Sequence, residues 1–222
     1  MLWATGTAVH TIAMLWVAFP ILTIAGERLE LSRFRNPSPL ARRIFSAILA
    51  LIAGGLFGRE FGIVLFAVGL LALAIWLLKE DIAMRTVRGT GLARFIAVCL
   101  LAGYAWLAVG ALVILAAGGL VPGTRSYDAA LHALALGFVF SMVFGHAPII
   151  FPAVLRVAVP YHAAFYVPLA LLHGSLVLRL AGDALGRIDW TRAGGLLNAI
   201  ALAAFIASVI GAAIRGARFR RV

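Results

Sequence analysis

Acidic side chains are scarce in this sequence and cysteine is nearly absent. Eight Asp and Glu stand against nineteen Lys and Arg, a balance that in a soluble protein would suggest nucleic acid as a partner. The arginines, however, fall in short clusters between long apolar runs, which is how membrane topology is written, and nucleic acid is set aside. The one cysteine, Cys99, lies inside an apolar run and reads as a packing residue. It excludes a disulfide framework, a CxxC redox pair and the CxxCH attachment of covalent haem. HExxH, the P-loop, GxSxG and any pair of carboxylates within an apolar run are missing as well, which removes the usual hydrolytic and nucleotide chemistries. Strand-type alternation and internal repeats are absent, so neither a β-barrel nor an inverted-repeat transporter is expected.

What is abundant is hydrocarbon. The chain is 64% hydrophobic and only 12% charged over 222 residues, too apolar for a soluble domain of this length. Runs of about twenty apolar residues, each long enough to cross a bilayer, recur without a long polar block between them. The expected fold is all-α: a polytopic transmembrane helical bundle, a single domain over residues 1–222 with no extramembrane domain. Seven spans are predicted, near residues 5–26, 44–57, 61–78, 95–120, 128–155, 163–180 and 195–214. The first lacks a basic leader and a cleavage site and is read as a retained helix. GERLELSRFRNPSPLARR and KEDIAMRTVRGTGLAR are basic loops, residues 58–60 a tight turn, and Pro148 and Pro152 bend or end the fifth span. Fourteen of the nineteen basic residues fall in the loops after spans one, three and five and in the C-terminal tail. That asymmetry places the N-terminus outside and the C-terminus in the cytoplasm, as a multi-pass protein of a bacterial inner membrane.

Histidine is the residue that carries chemistry here. All five lie in or at the ends of apolar spans, and polar groups placed inside a bilayer are costly enough to be functional candidates. His132 and His146 stand fourteen residues apart, which on a regular helix leaves an angular offset of about 40° and an axial separation of roughly 21 Å. Both rings then share a face but cannot grip one iron. Counting from span midpoints puts His10 and His132 roughly 10 Å outside the bilayer centre, His146 roughly 10 Å inside it, and His173 near it. The expected pairs are His10 with His132 and, at a deeper site, His146 with His173. His162, after Pro160 and Tyr161, reads as a corner residue.

Neutral imidazole suits haem iron, copper and zinc alike. With no CxxCH motif, haem would be noncovalent b-type haem, one or two per chain. Met14 follows His10 by four residues and Met142 precedes His146 by four, a shared-face pattern that also suits copper(I). Gly137 and Gly145 offer room for a flat macrocycle between walls such as Phe138, Phe140, Phe144 and Trp106, or else serve helix packing. Arg125 and Arg179 stand near outer helix ends, where they either pair with haem propionates or snorkel to the interface. Glu27, Glu30, Asp128 and Asp183 at span ends are solvated charges or handlers of quinol protons.

The helix HALALGFVFSMVFGHAP, His132 to Pro148, resembles the His-Ala-Leu-x-x-Gly helix of the NnrS family, with a vaguer likeness in LALLHGSLVLRLAGD. Those are haem- and copper-containing membrane proteins associated with nitric oxide and denitrification, distantly similar to haem-copper oxidase core subunits. The resemblance implies haem contact by His132 and by His146. The same-face pair also resembles helices of dihaem cytochromes b. The expected function is electron transfer across the membrane by a b-type haem protein, from quinol to an external partner redox protein or subunit. The alternatives are a haem-copper centre that binds or reduces nitric oxide or oxygen, and a copper transporter or structural membrane subunit.

The basic asymmetry yields a direct test of orientation. A cytoplasm-active reporter fused after Val222 is expected to be active and a periplasm-active one silent; the reverse would invert every inner and outer label above.

Overall fold

The computed structural model describes residues 9–32, 37–57 and 61–219. Among them every regular element is helical: α1 (Val9–Ser32), α2 (Pro39–Phe57), α3 (Gly62–Glu80), α4 (Ala83–Thr86), α5 (Gly91–Ala117), α6 (Arg125–His132), a π-helical segment (Ala133–Val139), α7 (Phe140–Leu155), a 3-10 turn (Ala163–Phe165), α8 (Tyr166–Leu185) and α9 (Ile188–Phe219). Six helical stretches are long and apolar enough to cross a membrane: Pro39–Phe57, Gly62–Glu80, Gly91–Ala117, Arg125–Leu155, Ala163–Leu185 and Ile188–Ala217. The protein is thus a helical membrane protein. The expected first span begins outside the described residues, and so does the turn at residues 58–60.

The chain divides into two compact units, residues 1–82 with 104–139, and residues 83–103 with 140–222. In the first, α2 and α3 pack as a hairpin whose seam is built from glycine. A Cβ on Gly55 would collide with the Phe66 backbone nitrogen, and one on Gly69 would lie 2.6 Å from the Ile52 side chain. With no hydrophobic drive between helices in lipid, such close backbone approach supplies the van der Waals contact that holds them. At the other end of the hairpin, Trp76 Nε1 donates to the Ala41 carbonyl at 3.0 Å, and its ring packs on Phe45 with centroids 4.6 Å apart.

α1 departs from expectation. It does not stop at Gly26 but continues to Ser32, because its buried register does: Ala18, Ile21, Ala25, Arg28 and Ser32 are all buried, spaced three and four apart on one stripe. The segment expected to open a basic loop is therefore helix, with Arg28 on its inward face.

The second unit is organised by the α8–α9 hairpin. Gly186 ends α8 in the left-handed region, φ 68°, with its N–H on the Gly182 carbonyl, a conformation that favours glycine. A Cβ on Gly182 would lie 2.5 Å from the Thr191 nitrogen, so the two helices touch at once after the turn. Further along, the Ser175 hydroxyl hydrogen-bonds the Asn198 side chain between α8 and α9, both residues buried. α7 runs helically through Pro148 and Pro152 to Leu155; the prolines do not end it. Phe144 of α7 stacks on Phe205 of α9, centroids 3.7 Å apart.

Two adjacent glycines of α2 give opposite expectations. Gly54 is exposed with nothing near its missing Cβ, whereas Gly55 abuts α3. Gly54→Ala should stabilise by up to about 1 kcal/mol through helix propensity, and Gly55→Ala should destabilise by about 1–3 kcal/mol through overpacking. Thermal unfolding of the detergent-purified variants reads both signs.

Candidate functional site

The two histidines of the Arg125–Leu155 stretch are held in one and the same way. His132 Nδ1 lies 2.8 Å from the Asp128 carbonyl and His146 Nδ1 lies 2.7 Å from the Met142 carbonyl, each four residues back along its own helix. A carbonyl oxygen can only accept, so Nδ1 is the protonated nitrogen in both rings and Nε2 carries the lone pair. The Asp128 carboxylate adds a second acceptor for His132, Oδ1 at 3.3 Å from Nδ1. An imidazole whose outer N–H is held by a carbonyl or carboxylate has a fixed tautomer and ring orientation, which is the way metal-ligating histidines are supported. Both rings are half-buried.

His162 is built the other way. Its Nδ1 accepts from the Ala164 backbone N–H at 3.0 Å, capping the 3-10 turn. Its lone pair is engaged by the backbone, and the residue is exposed, as suits a corner residue. His173 stands half-buried on α8, in the same unit as His146. His10 lies on α1 in the unit that contains His132, and its side chain is outside the described residues. Each expected pair therefore belongs to one compact unit. Among the described residues no group of three or more His, Cys, Asp or Glu side chains gathers as a metal cluster.

The π-helical segment, Ala133–Val139, begins directly after His132. Its i→i+5 bonding winds more slowly than an α-helix, so the 3.6-residue count that gave His132 and His146 a common face does not carry through it. The segment is where this helix interlocks with α5. A Cβ on Gly137 would lie 2.5 Å from Trp106, and one on Gly110 would lie 2.6 Å from Leu134. Gly145 likewise faces Cys99, 3.0 Å from its Cβ. The space that Gly137 and Gly145 leave is filled by Trp106 and Cys99, so in this structure these glycines serve helix packing.

The arginines separate. Arg125 is the exposed first residue of α6, following the Thr124 cap that accepts from the Tyr127 N–H. Arg179 lies over Gly194 and Gly195 and donates to the Thr191 carbonyl at 3.4 Å, while Thr191 Oγ1 donates to Asp183 Oδ1 at 3.0 Å. Arg179 and Asp183 thus tie the α8–α9 turn together, and Asp183 is buried, not a solvated helix end.

One polar constellation was not legible as a site. Arg28, Asp81 and Tyr104 are all buried. Tyr104 donates its hydroxyl proton to Asp81 Oδ2 at 2.9 Å, the Arg28 guanidinium lies 3.9 Å from the same oxygen, and its other terminal nitrogen reaches Glu27 at 3.2 Å. Asp81 is the extended C-cap of α3, so the cluster pins the end of α3 to α1 and α5 within the first unit. The stripe of α1 that places Arg28 inward was the available signal. Nothing in the run Lys79, Glu80, Asp81 marks Asp81 off from its neighbours.

Over residues 1–214 the chain matches the model of a family described as a domain of unknown function, DUF8744, and it belongs to that family. No curated protein and no solved structure matches it.

Removing one member of the buried pair should cost more than removing both. Arg28→Met is expected to destabilise by about 3–5 kcal/mol by stranding the Asp81 carboxylate, and Arg28→Met with Asp81→Asn should recover most of that. Denaturant or thermal unfolding of both variants measures the coupling.

Proposed function

We propose that this protein is a membrane-embedded b-type haem protein that passes electrons across a bacterial inner membrane, from quinol to an external redox partner. The observation that supports it best is the matched support of His132 and His146: each donates Nδ1–H to the carbonyl four residues back, which fixes the tautomer with the lone pair on Nε2. An imidazole supported in this way would suit a haem iron. In this reading α1 is the seventh span, the N-terminus lies outside and the arginine-rich tail lies in the cytoplasm. His10 and His132 would hold one haem in the first unit, and His146 and His173 would hold a second in the other. Bound there, haem supplies reversible one-electron chemistry. The chain's own part is to hold both rings in fixed tautomers, to exclude water with apolar spans, and to offer Arg125 as an exposed cation for a propionate. The resemblance to the NnrS family supports a place in nitric oxide or denitrification metabolism.

A second reading, a structural membrane subunit, is favoured by the filled glycine notches at Trp106 and Cys99. Copper bound beside His10 and Met14, or at a haem-copper centre, is a third outcome of the same measurement.

A reduced-minus-oxidised spectrum with haem and metal quantification on the purified protein separates them. One to two equivalents of noncovalent haem are expected. His132→Ala and His10→Ala should remove one spectral component, and His146→Ala and His173→Ala the other. Haem below about one-tenth of an equivalent in protein made with ample haem supply would sink the cytochrome reading, in which paired histidines would hold the iron. Loss of the same component in the His132 and His146 variants would sink the two-site assignment.

A further inference from the structure

We infer that the groove along the α2–α3 hairpin is a site for an aminophospholipid such as phosphatidylethanolamine, with the lipid ammonium on Glu80, the phosphate between Lys79 and the start of α2, and one acyl chain in the apolar part. The groove encloses about 380 Å³. Ile44 and Ile48 of α2 and Ala72 and Ile75 of α3 line its apolar part, with the buried Ala41 and Trp76 at its base. Ser38, Lys79 and Glu80 line it as well. The hairpin is antiparallel, its register set by Ile52 at Gly69 and by Ala41 at Trp76, so the first turn of α2 and the last turn of α3 stand side by side and gather those three polar residues at one end. Both helices are long and apolar enough to cross a membrane, which puts that end at the bilayer surface. From Glu80 to Ala72 the groove runs about 12 Å at 1.5 Å per residue, within one leaflet of a hydrocarbon core about 30 Å thick. Polar at the surface and apolar below is the order of a lipid.

The winding of the two helices agrees with this lining. At about 100° per residue, Ala72, Ile75, Trp76, Lys79 and Glu80 fall within about 75° of one direction on α3, and Asp81 falls on the opposite side, where it meets Tyr104 and Arg28. On α2 the lining residues share one face, and the exposed Arg42 and Arg43 lie more than about 100° from its centre. The charge along the groove is therefore one ammonium and one carboxylate. Ser38 Oγ accepts from the Ala41 N–H at 3.1 Å, which leaves its own O–H to donate, and the first N–H groups of α2, at the positive end of the helix dipole, favour an anion at the same place. The Trp76 N–H is spent on the Ala41 carbonyl, so below the polar end the groove is hydrocarbon. A zwitterion answers both charges. Its phosphate suits Lys79, Ser38 and the start of α2, and a primary ammonium gives the Glu80 carboxylate a charge-assisted hydrogen bond that a quaternary ammonium, having no N–H, cannot give.

The test uses the full chain, delipidated in detergent and titrated with phosphatidylethanolamine, with phosphatidylcholine and phosphatidylglycerol of the same acyl chains, and with phosphoethanolamine, read as bound adducts by native mass spectrometry. Phosphatidylethanolamine should bind about fivefold more tightly than phosphatidylcholine, the ratio that a part-exposed ion pair supplies. Glu80→Gln should abolish that preference and Glu80→Asp should keep most of it. Lys79→Gln should weaken both lipids together, because the phosphate is common to them. Ala72→Trp fills the apolar part, and Ile75→Trp narrows it from an exposed position that folding tolerates; both should lower binding of every lipid. Equal binding of the ethanolamine and choline lipids, a preference that survives Glu80→Gln, or undiminished binding in both Trp variants would each overturn the assignment. So would phosphoethanolamine binding as tightly as the whole lipid, which would leave the apolar part without a role, and so would a preference for phosphatidylglycerol that Lys79→Gln removes, which would make this an anionic-lipid site. A wild-type dimer that Ile75→Trp converts to monomer, with no lipid preference, would give the groove to a second copy. None of these outcomes depends on haem content.

Discussion

A carboxylate with no water around it must be answered by a donor and a cation, and in the first unit that requirement fixes where three helices meet. Asp81 ends α3 and is buried. It takes the Tyr104 hydroxyl from α5 and the Arg28 guanidinium from α1. Charge and donor come from different helices, so none of the three can shift without leaving an uncompensated polar group in a low-dielectric interior. The rest of the unit is held by shape. The glycine seam of α2 and α3, and the interlock of Trp106 with Gly137 and of Leu134 with Gly110, are contacts in which the backbone is the partner. That is the form of packing available when lipid is as apolar as the side chains.

The second unit uses the same two devices in a different order. Here backbone contact comes first, at Gly182 against Thr191 and at Gly216 against Ala158, and the polar groups cluster at the turn, where Arg179 donates to the Thr191 carbonyl and the Thr191 hydroxyl donates to Asp183. The consequence for function is a division of labour among polar residues. Arg179, Asp183 and His162 are engaged in holding corners, the first two through hydrogen bonds to Thr191 and the third as a cap. His132 and His146 give their Nδ1–H to the helix backbone, the tautomer that places the lone pair on Nε2. In the proposed cytochrome this distinction decides which histidines face iron, and residue type alone does not make it.

Helices were legible because a bilayer leaves the backbone no other way to satisfy its hydrogen bonds, so an apolar run of sufficient length is a helix. Composition and the spacing of apolar runs therefore determined the all-helical class, five of the long helices to within a few residues, and the position of every histidine on a helix or a corner. They did not determine which face a residue presents once the winding changes. His132 and His146 share a face on a regular helix, but the seven residues of the π segment between them wind differently. A local i→i+5 pattern depends on what packs against it, here Trp106 and Leu134 across α5. In the same way Gly137 looks like open space in one dimension and is a filled notch in three. Arg28 and Asp81 read as loop charges because a local window weighs their polarity and cannot see each other's approach. Their burial follows from two segments more than fifty residues apart meeting, and only the tertiary structure, by supplying each with a countercharge, makes that burial affordable.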